Sequence, residues 1–369
     1  MRAGAGFSPR SKLGEHCSPL ASGTACPTPL FNSATKALFL FRENVETPAA
    51  GLKSRCKLKL APRAHDVILI LLMTRKVAVI GSAGQLGVEL VRELNQRGYE
   101  TIGWDRDKLD ITDNAQVESV LAPWYPEIVF NAVAYNQVDV AESEPHASFL
   151  VNALAVRNLA LACRQLDARF VHFSTDYVFD GTAGRPYAET DPTHPLGAYG
   201  VSKLAGEHYA QAYLDAPLIV RTSGLFGPGG LKTARGNFVE LMLRLAQSPQ
   251  PIRVVKDHVA SPTYAPLLAA RTIDLVERDQ AGVFHIGGGA PISWFHYAQL
   301  IFAAGLPGQA VELHPADDRE YRTAARRPKY SALSNAKMES LGLPPMPPLE
   351  DALRLYFAAR EQMLSSVQA

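Results

Sequence analysis

At 369 residues, 47% hydrophobic and 20% charged, the chain is long enough for one large or two coupled globular domains. A formal net charge of +1 excludes a strongly basic surface, and with it nucleic acid as the main partner. That balance hides a division: residues 1–72 hold ten Lys/Arg against four Asp/Glu, whereas the remainder is acidic.

The head, 1–72, is rich in Pro, Ser, Gly and Ala, has no sustained apolar period, and holds Cys17, Cys26 and Cys56. It reads as a transit-type leader, a disordered extension, or upstream translation. The last is favoured, because Met73 stands three residues before the first core strand. The run 67–72 is far shorter than the roughly 20 residues of a membrane span, and it lies too far in for a secretory signal. No membrane partner is expected. Cys163 is the single cysteine of the body, which fits a reducing compartment and points to the cytoplasm.

The first strand is Lys76–Ile80, a β-branched run suited to a sheet covered on both faces. Leu86, Leu90 and Leu94 give Leu86–Arg97 helical spacing, with Gly98 as its stop. Further strands are predicted at 100–104, 127–131, 170–174 and 217–221, with helical segments between them. Such alternation makes the fold α/β: a Rossmann-like doubly wound parallel sheet over 73–222. From about Ser223 the alternation becomes irregular. Residues 223–369 are therefore expected to form a smaller C-terminal substrate-binding lobe, with some segments returning to the sheet domain.

Gly81-Ser-Ala-Gly84-Gln85-Leu86-Gly87 lies between the first strand and the first helix. Glycines there allow a tight turn and let backbone approach a pyrophosphate facing the helix N-terminus. Asp105, after the second strand, suits the adenine ribose hydroxyls, whereas Arg106 suits a 2′-phosphate, so NADH and NADPH both stay open. Asp110 and Ile111 either pass beneath the adenine or belong to the N-cap region of a helix over 114–121. Ala132, Val133 and Ala134 follow the third strand, where small side chains leave room for a cofactor.

Tyr199-Gly-Val-Ser-Lys203 places a phenol and an ammonium on one helix face. A phenol of ordinary pKa near 10 is a poor acid at neutral pH, and a neighbouring ammonium stabilises its phenolate. Lys203 can also bond the nicotinamide ribose. Thr175, at the end of the fourth strand, offers a hydroxyl for a substrate carbonyl oxygen. Glycine loop, Thr175 and the Tyr199/Lys203 pair, in that order, indicate a nicotinamide-dependent dehydrogenase.

From Lys76 onward the chain resembles the dTDP-4-dehydrorhamnose reductases of the extended short-chain dehydrogenase/reductase group. The resemblance rests on Gly84-Gln-Leu-Gly-Val-Glu-Leu90, Asn131-Ala-Val-Ala-Tyr135, Ser174-Thr-Asp-Tyr-Val-Phe179, Tyr199 to Glu207, Arg221-Thr-Ser223, Gly236-Asn-Phe238, Ser293-Trp294 and Arg327-Pro328. It implies reduction of the C4 ketone of a dTDP-4-dehydro-6-deoxy sugar to dTDP-L-rhamnose with NADPH or NADH, for cell-surface polysaccharide. It further implies that Thr175, Tyr177 and Asn237 contact the sugar, with Asp176 beside it. Gly84, Gln85 and Leu86 would bind pyrophosphate; Asp105, Asp110, Ile111 and Ala132 to Ala134 would line the rest of the cofactor site. A homodimer is allowed. Some members hold magnesium through glutamates at a dimer contact, and Glu89 matches one such position; a surface helical glutamate is the preferred reading.

Three departures bear on the sugar. Gly224 stands where a Trp is usual, His258 and Ala260 where Gln and Gly are usual, and Arg327-Pro-Lys-Tyr lacks the usual Asn-Ser. Alternatives are a reductase or epimerase of a related nucleotide 4-keto sugar, and a non-catalytic dinucleotide-binding regulatory subunit. A 4,6-dehydratase is disfavoured, since Tyr177 stands where those enzymes have Glu.

Overall fold

Lys76–Ile80 forms β1, and four of its five residues are buried, as a continuous apolar run between two helical layers requires. The computed structural model describes residues 75–233, 236–320 and 322–368; the head, 1–72, lies outside the described residues. Next come α1 (Gln85–Gln96), β2 (Glu100–Trp104), α2 (Asn114–Trp124) and β3 (Ile128–Asn131). Short helices α3 (Val140–Ser143) and α4 (Pro145–Phe149) lead through a wide π-type turn (Leu150–Leu154) into α5 (Ala155–Leu166). β4 (Arg169–Thr175), α6 (Ala198–Tyr213) and β5 (Leu218–Thr222) complete the alternation. The predicted strand at 217–221 lies one residue later, because Pro217 brings no amide to the ladder. Gly98, at φ +82°, follows α1 as the expected stop.

Beyond β5 the chain builds α7 (Phe238–Leu245), β6 (Ile252–Val255), β7 (Val259–Ala260), α8 (Ala265–Glu277) and β8 (Gly282–His285). It continues with β9 (Ile292–Ser293), α9 (Trp294–Gly305), β10 (Leu313–Ala316), α10 (Ala336–Ser340) and α11 (Leu349–Gln368). The main sheet is parallel throughout, in the order β2-β1-β3-β4-β5-β8. Strand β8 thus joins it from far along the chain. The paired strands β10–β6 and β7–β9 stand apart from it.

Alternation along each central strand feeds two cores. Val77, Val79, Phe130, Val171 and Val220 pack with α1 and α8 on one face. Ala78, Ile80, Val129, Phe170 and Ile219 pack with α2, α5 and α6 on the other. A doubly wound α/β fold results. A third core joins Phe226, Tyr264, α7, α9 and α11. The stretch Pro145–Leu166 is long and apolar enough to cross a membrane, but 56% of its most apolar window is buried in this body, as a core helix would be. Cys163 is buried and unpaired, and burial pushes its thiol above the ordinary range.

Candidate active site

The strand order reverses between β1 and β3, and chain segments leaving their carboxyl ends open a crevice there. Gly81, at φ +81°, turns the chain out of β1 and donates its amide to the Trp104 carbonyl at 2.7 Å. A Cβ on Gly87 would lie 2.0 Å from the Gly81 carbonyl oxygen, so only glycine lets α1 start this close to the loop. The first turn of α1 has no side-chain cap and no acidic residue. Its amides are therefore available to an anion. Gly229 and Gly230 close over Gln85, where Cβ atoms would approach to 2.6 and 2.3 Å. This cradle fits a dinucleotide pyrophosphate.

The other expected cofactor positions are distributed around it. Asp105 accepts from Ser82 Oγ at 2.9 Å and from the Ala83 amide at 2.7 Å. Leu86 turns its side chain into the core, leaving its backbone to the crevice. Asp110 folds onto Thr112, accepting its amide at 2.9 Å and its hydroxyl at 2.7 Å, which holds the carboxyl below its usual range. Ile111 is a core residue at 4% exposure. Asp113, not Asp110, caps α2. Ala132, Val133 and Ala134 are half-buried just past β3, with the Val133 amide turned back onto Asn131 Oδ1 at 3.1 Å.

Helix α6 carries Tyr199 and Lys203 alongside the carboxyl end of β4. Lys203 is 2% exposed and donates to the Phe173 carbonyl at 2.6 Å. Burial pulls its ammonium down to about 8. The Tyr199 hydroxyl reaches Asn136 Oδ1 at 3.4 Å. Its ring meets Tyr177 edge to face, 5.9 Å between centroids. Thr175 Oγ1 accepts the Tyr177 amide and donates to Asp176 Oδ1, both at 3.1 Å. Asp176 is buried beneath, where Ser223 Oγ donates to it at 2.8 Å; burial raises its carboxyl to about 6. Burial and then Asp176 push the Tyr177 phenol above its ordinary range, against the pull of Arg327 bonded to it.

Asn237 sits at the N-terminus of α7, bonding the Glu240 amide, the Gly227 carbonyl and Gln85 Oε1, the last at 3.0 Å. It joins the glycine-rich loop to α7. Glu89 departs from the preferred surface reading: it is 2% exposed and pairs with Arg92 at 2.6 Å. The Leu86/Leu90/Leu94 stripe leaves Glu89 on the flank that Gly229 and Lys232 cover. No group of three metal-ligating side chains occurs among the described residues.

Asn152 was not singled out from sequence. Asn152, in the π-type turn, bonds both the amide and carbonyl of Tyr135 and also Ser202 Oγ, so it ties the segment after β3 to α6. An Asn inside Leu-Val-Asn-Ala-Leu is a buried polar group, and that was its available signal. Arg327 forks onto Asp139 at 2.7 and 3.1 Å. A narrow crevice between Tyr177, Tyr199 and Arg326 adjoins a solvent-open basin of about 810 Å³. Arg322, Arg326, Arg327 and Lys329 line that basin against two carboxylates, Asp180 and Asp318, which leaves its wall net cationic.

A doubly wound sheet, a glycine loop at its switch point and a Tyr/Lys helix face define a nicotinamide-dependent short-chain dehydrogenase/reductase. Residues 75–361 match the model of the RmlD substrate binding domain family. The chain is 37% identical over 285 residues to the spore coat polysaccharide biosynthesis protein SpsK of Bacillus subtilis, covering 77% of this chain and 98% of that protein. It is 37% identical over 276 residues to dTDP-4-dehydrorhamnose reductase of Escherichia coli, covering 71% and 90%. The crystal structure of dTDP-4-dehydrorhamnose reductase from Bacillus anthracis in complex with NADP superimposes with a TM-score of 0.73 at 35% identity, covering 78% of this chain and 99% of that one. The chain belongs to this family, the dTDP-4-dehydrorhamnose reductases.

Proposed function

We propose that the protein reduces the C4 ketone of dTDP-4-dehydrorhamnose to dTDP-L-rhamnose with NADPH or NADH. The observation that carries this reading is the meeting of β4 and α6: Lys203 donates to the Phe173 carbonyl, and Tyr177, two residues past Thr175, packs edge to face on Tyr199. A nicotinamide dinucleotide held by its pyrophosphate in the cradle of Gly81 to Gly87 would supply the hydride for C4. Tyr199 donates its phenolic proton to the ketone oxygen. Lys203, its ammonium fixed by the Phe173 carbonyl, stabilises the phenolate left behind. Thr175 turns its hydroxyl from Asp176 to the same oxygen, and Tyr177 walls the sugar. The cationic basin next to the two phenols suits the diphosphate of a nucleotide sugar.

The reading is tested by following NAD(P)H oxidation with enzymatically generated dTDP-4-dehydrorhamnose, and by identifying rhamnose in the product. Rapid oxidation that Tyr199→Phe reduces about a hundred-fold or more is expected. Wild-type protein inert with both cofactors would overturn the reading and favour a binding subunit.

A further inference from the structure

Helix α6 carries a third ionisable residue in phase with the reacting pair. Tyr199, Lys203 and Glu207 stand at i, i+4 and i+8, so they share one face. That face lies against β4 and β5. Glu207 is 1% exposed, and its carboxylate is fully engaged. Oε1 accepts the Ser174 hydroxyl and Arg221 Nε, the latter at 2.9 Å, while Oε2 accepts Arg221 Nη2 at 2.6 Å. Ser174 and Arg221 are register partners across β4 and β5. Arg221 is held in turn: its guanidinium lies 5.3 Å over the Phe179 ring, and Nη1 is 3.5 Å from His285 Nε2.

A buried ion pair is weak evidence for stability, because apolar residues of equal volume often stabilise as well or better. The location of this one suggests another use. Ser174 directly precedes Thr175, and Glu207 stands one helical turn beyond Lys203. One carboxylate therefore joins the strand that bears the substrate-facing hydroxyl to the helix that bears the phenol and ammonium.

Resting on the reductase reading, we propose that Glu207, clamped by Arg221 and Ser174, is a positioning residue that registers α6 against the end of β4 and sets a counter-charge behind Lys203. Burial lowers the proton affinity of Lys203, and the Glu207 carboxylate opposes it. The other ionisable groups near this face are His172 of β4, Asp176 and Tyr177 just beyond it, Arg221 of β5 and His285 of β8. Burial and then Lys203 keep His172 uncharged, and burial holds His285 down to about 3. Asp176, buried among hydroxyls, titrates at about 6.

Glu207→Gln keeps the shape and an acceptor for Ser174 but removes the charge. The expected result is a kcat lowered about ten-fold or more, with its alkaline limb moved down by about one pH unit and a smaller change in the KM for sugar. Glu207→Asp, which retains the charge, should lower kcat while leaving the limb in place. Glu207→Gln also leaves the Arg221 charge buried and unpaired. If it does not fold, Glu207→Gln/Arg221→Met removes both charges, and a downward shift of the limb is again expected. A parallel readout needs no turnover: the Lys203 titration followed by NMR in protein with carbon-13-labelled lysine, its resonance assigned with Lys203→Met. A downward midpoint in Glu207→Gln is expected there. An unchanged midpoint and limb in a folded variant overturn the proposal. A shifted midpoint in a protein that turns over no 4-keto sugar overturns the reductase reading instead, leaving the clamp intact.

Discussion

Asp105 holds Ser82 across the mouth of the crevice: the Ser82 hydroxyl donates to Oδ2 at 2.9 Å while the adjoining Ala83 amide donates to Oδ1. The end of β2 is thereby tied to the loop after β1, and on the proposed reading the Asp105 carboxylate faces the adenosine ribose. Such a charge tolerates a ribose diol and repels a 2′-phosphate. Asp105→Asn is expected to raise the ratio of kcat/KM for NADPH over NADH about ten-fold, a worth of roughly 1.4 kcal/mol. Steady-state kinetics with both cofactors measure it, and an unmoved ratio would remove Asp105 from cofactor choice.

Gly87→Ala puts a methyl 2.0 Å from the Gly81 carbonyl oxygen and 2.8 Å from the Ser82 Cα, backbone atoms that cannot step aside cheaply. The expected cost is about 1–3 kcal/mol of stability, together with a loss of dinucleotide binding. Calorimetry and fluorescence titration of NADPH test the two parts separately. Wild-type affinity in the variant would mean that the loop does not carry the pyrophosphate.

Asp176 gives a signed pH effect. Its folded-state pKa, about 6, lies above the 3.8 of an unperturbed aspartate, burial being the main cause. The folded state therefore binds the proton more tightly, so this contribution is complete below about pH 3.8 and is lost as pH rises through 6. Its size is on the order of 3 kcal/mol. Asp176→Asn should flatten that difference. Denaturant midpoints of wild type and variant at several pH values decide it, and the acid response of His285, present in both proteins, cancels. Parallel curves would contradict the assignment.

Gly224 adopts φ +51°, and a Cβ there would lie 3.4 Å from Trp294 Cη2 and 3.2 Å from Pro262 Cα. Gly224→Ala should cost about 1–2 kcal/mol through its backbone alone. Gly224→Trp should cost more, and Trp294→Ala should recover part of the excess, with a coupling on the order of 1 kcal/mol in a double-mutant cycle. Strict additivity in thermal unfolding would show that the two positions do not share the space.

Five strands of the parallel sheet were legible because each is a short apolar run closed by a glycine or polar turn, and β2 falls where expected, at 100–104; the sixth, β8, was foreseen only as an unspecified later segment returning to the sheet. The Tyr199/Lys203 face was legible because four-residue spacing is a local property of a helix. Long-range partners are not local. Nothing in the sequence near Glu207 announces Arg221, fourteen residues on, and nothing near Asp139 announces Arg327. Glu89 was misjudged for the same reason: its cover comes from a turn at 228–232, remote in sequence. Asp110 shows the converse. A short Asp-x-Thr segment satisfies itself through Thr112, whereas the sequence reading set a helix N-cap region level with a ligand role.

Strand β8 has a consequence for the order in which the chain can be completed. It pairs Gly282 with Leu218, so the free edge of β5 stays uncovered while more than sixty intervening residues are made. An unpaired parallel edge is a template for association between nascent chains. Fragments released from the ribosome before residue 285 would therefore be the sticky ones, whereas the finished polypeptide seals its own seam.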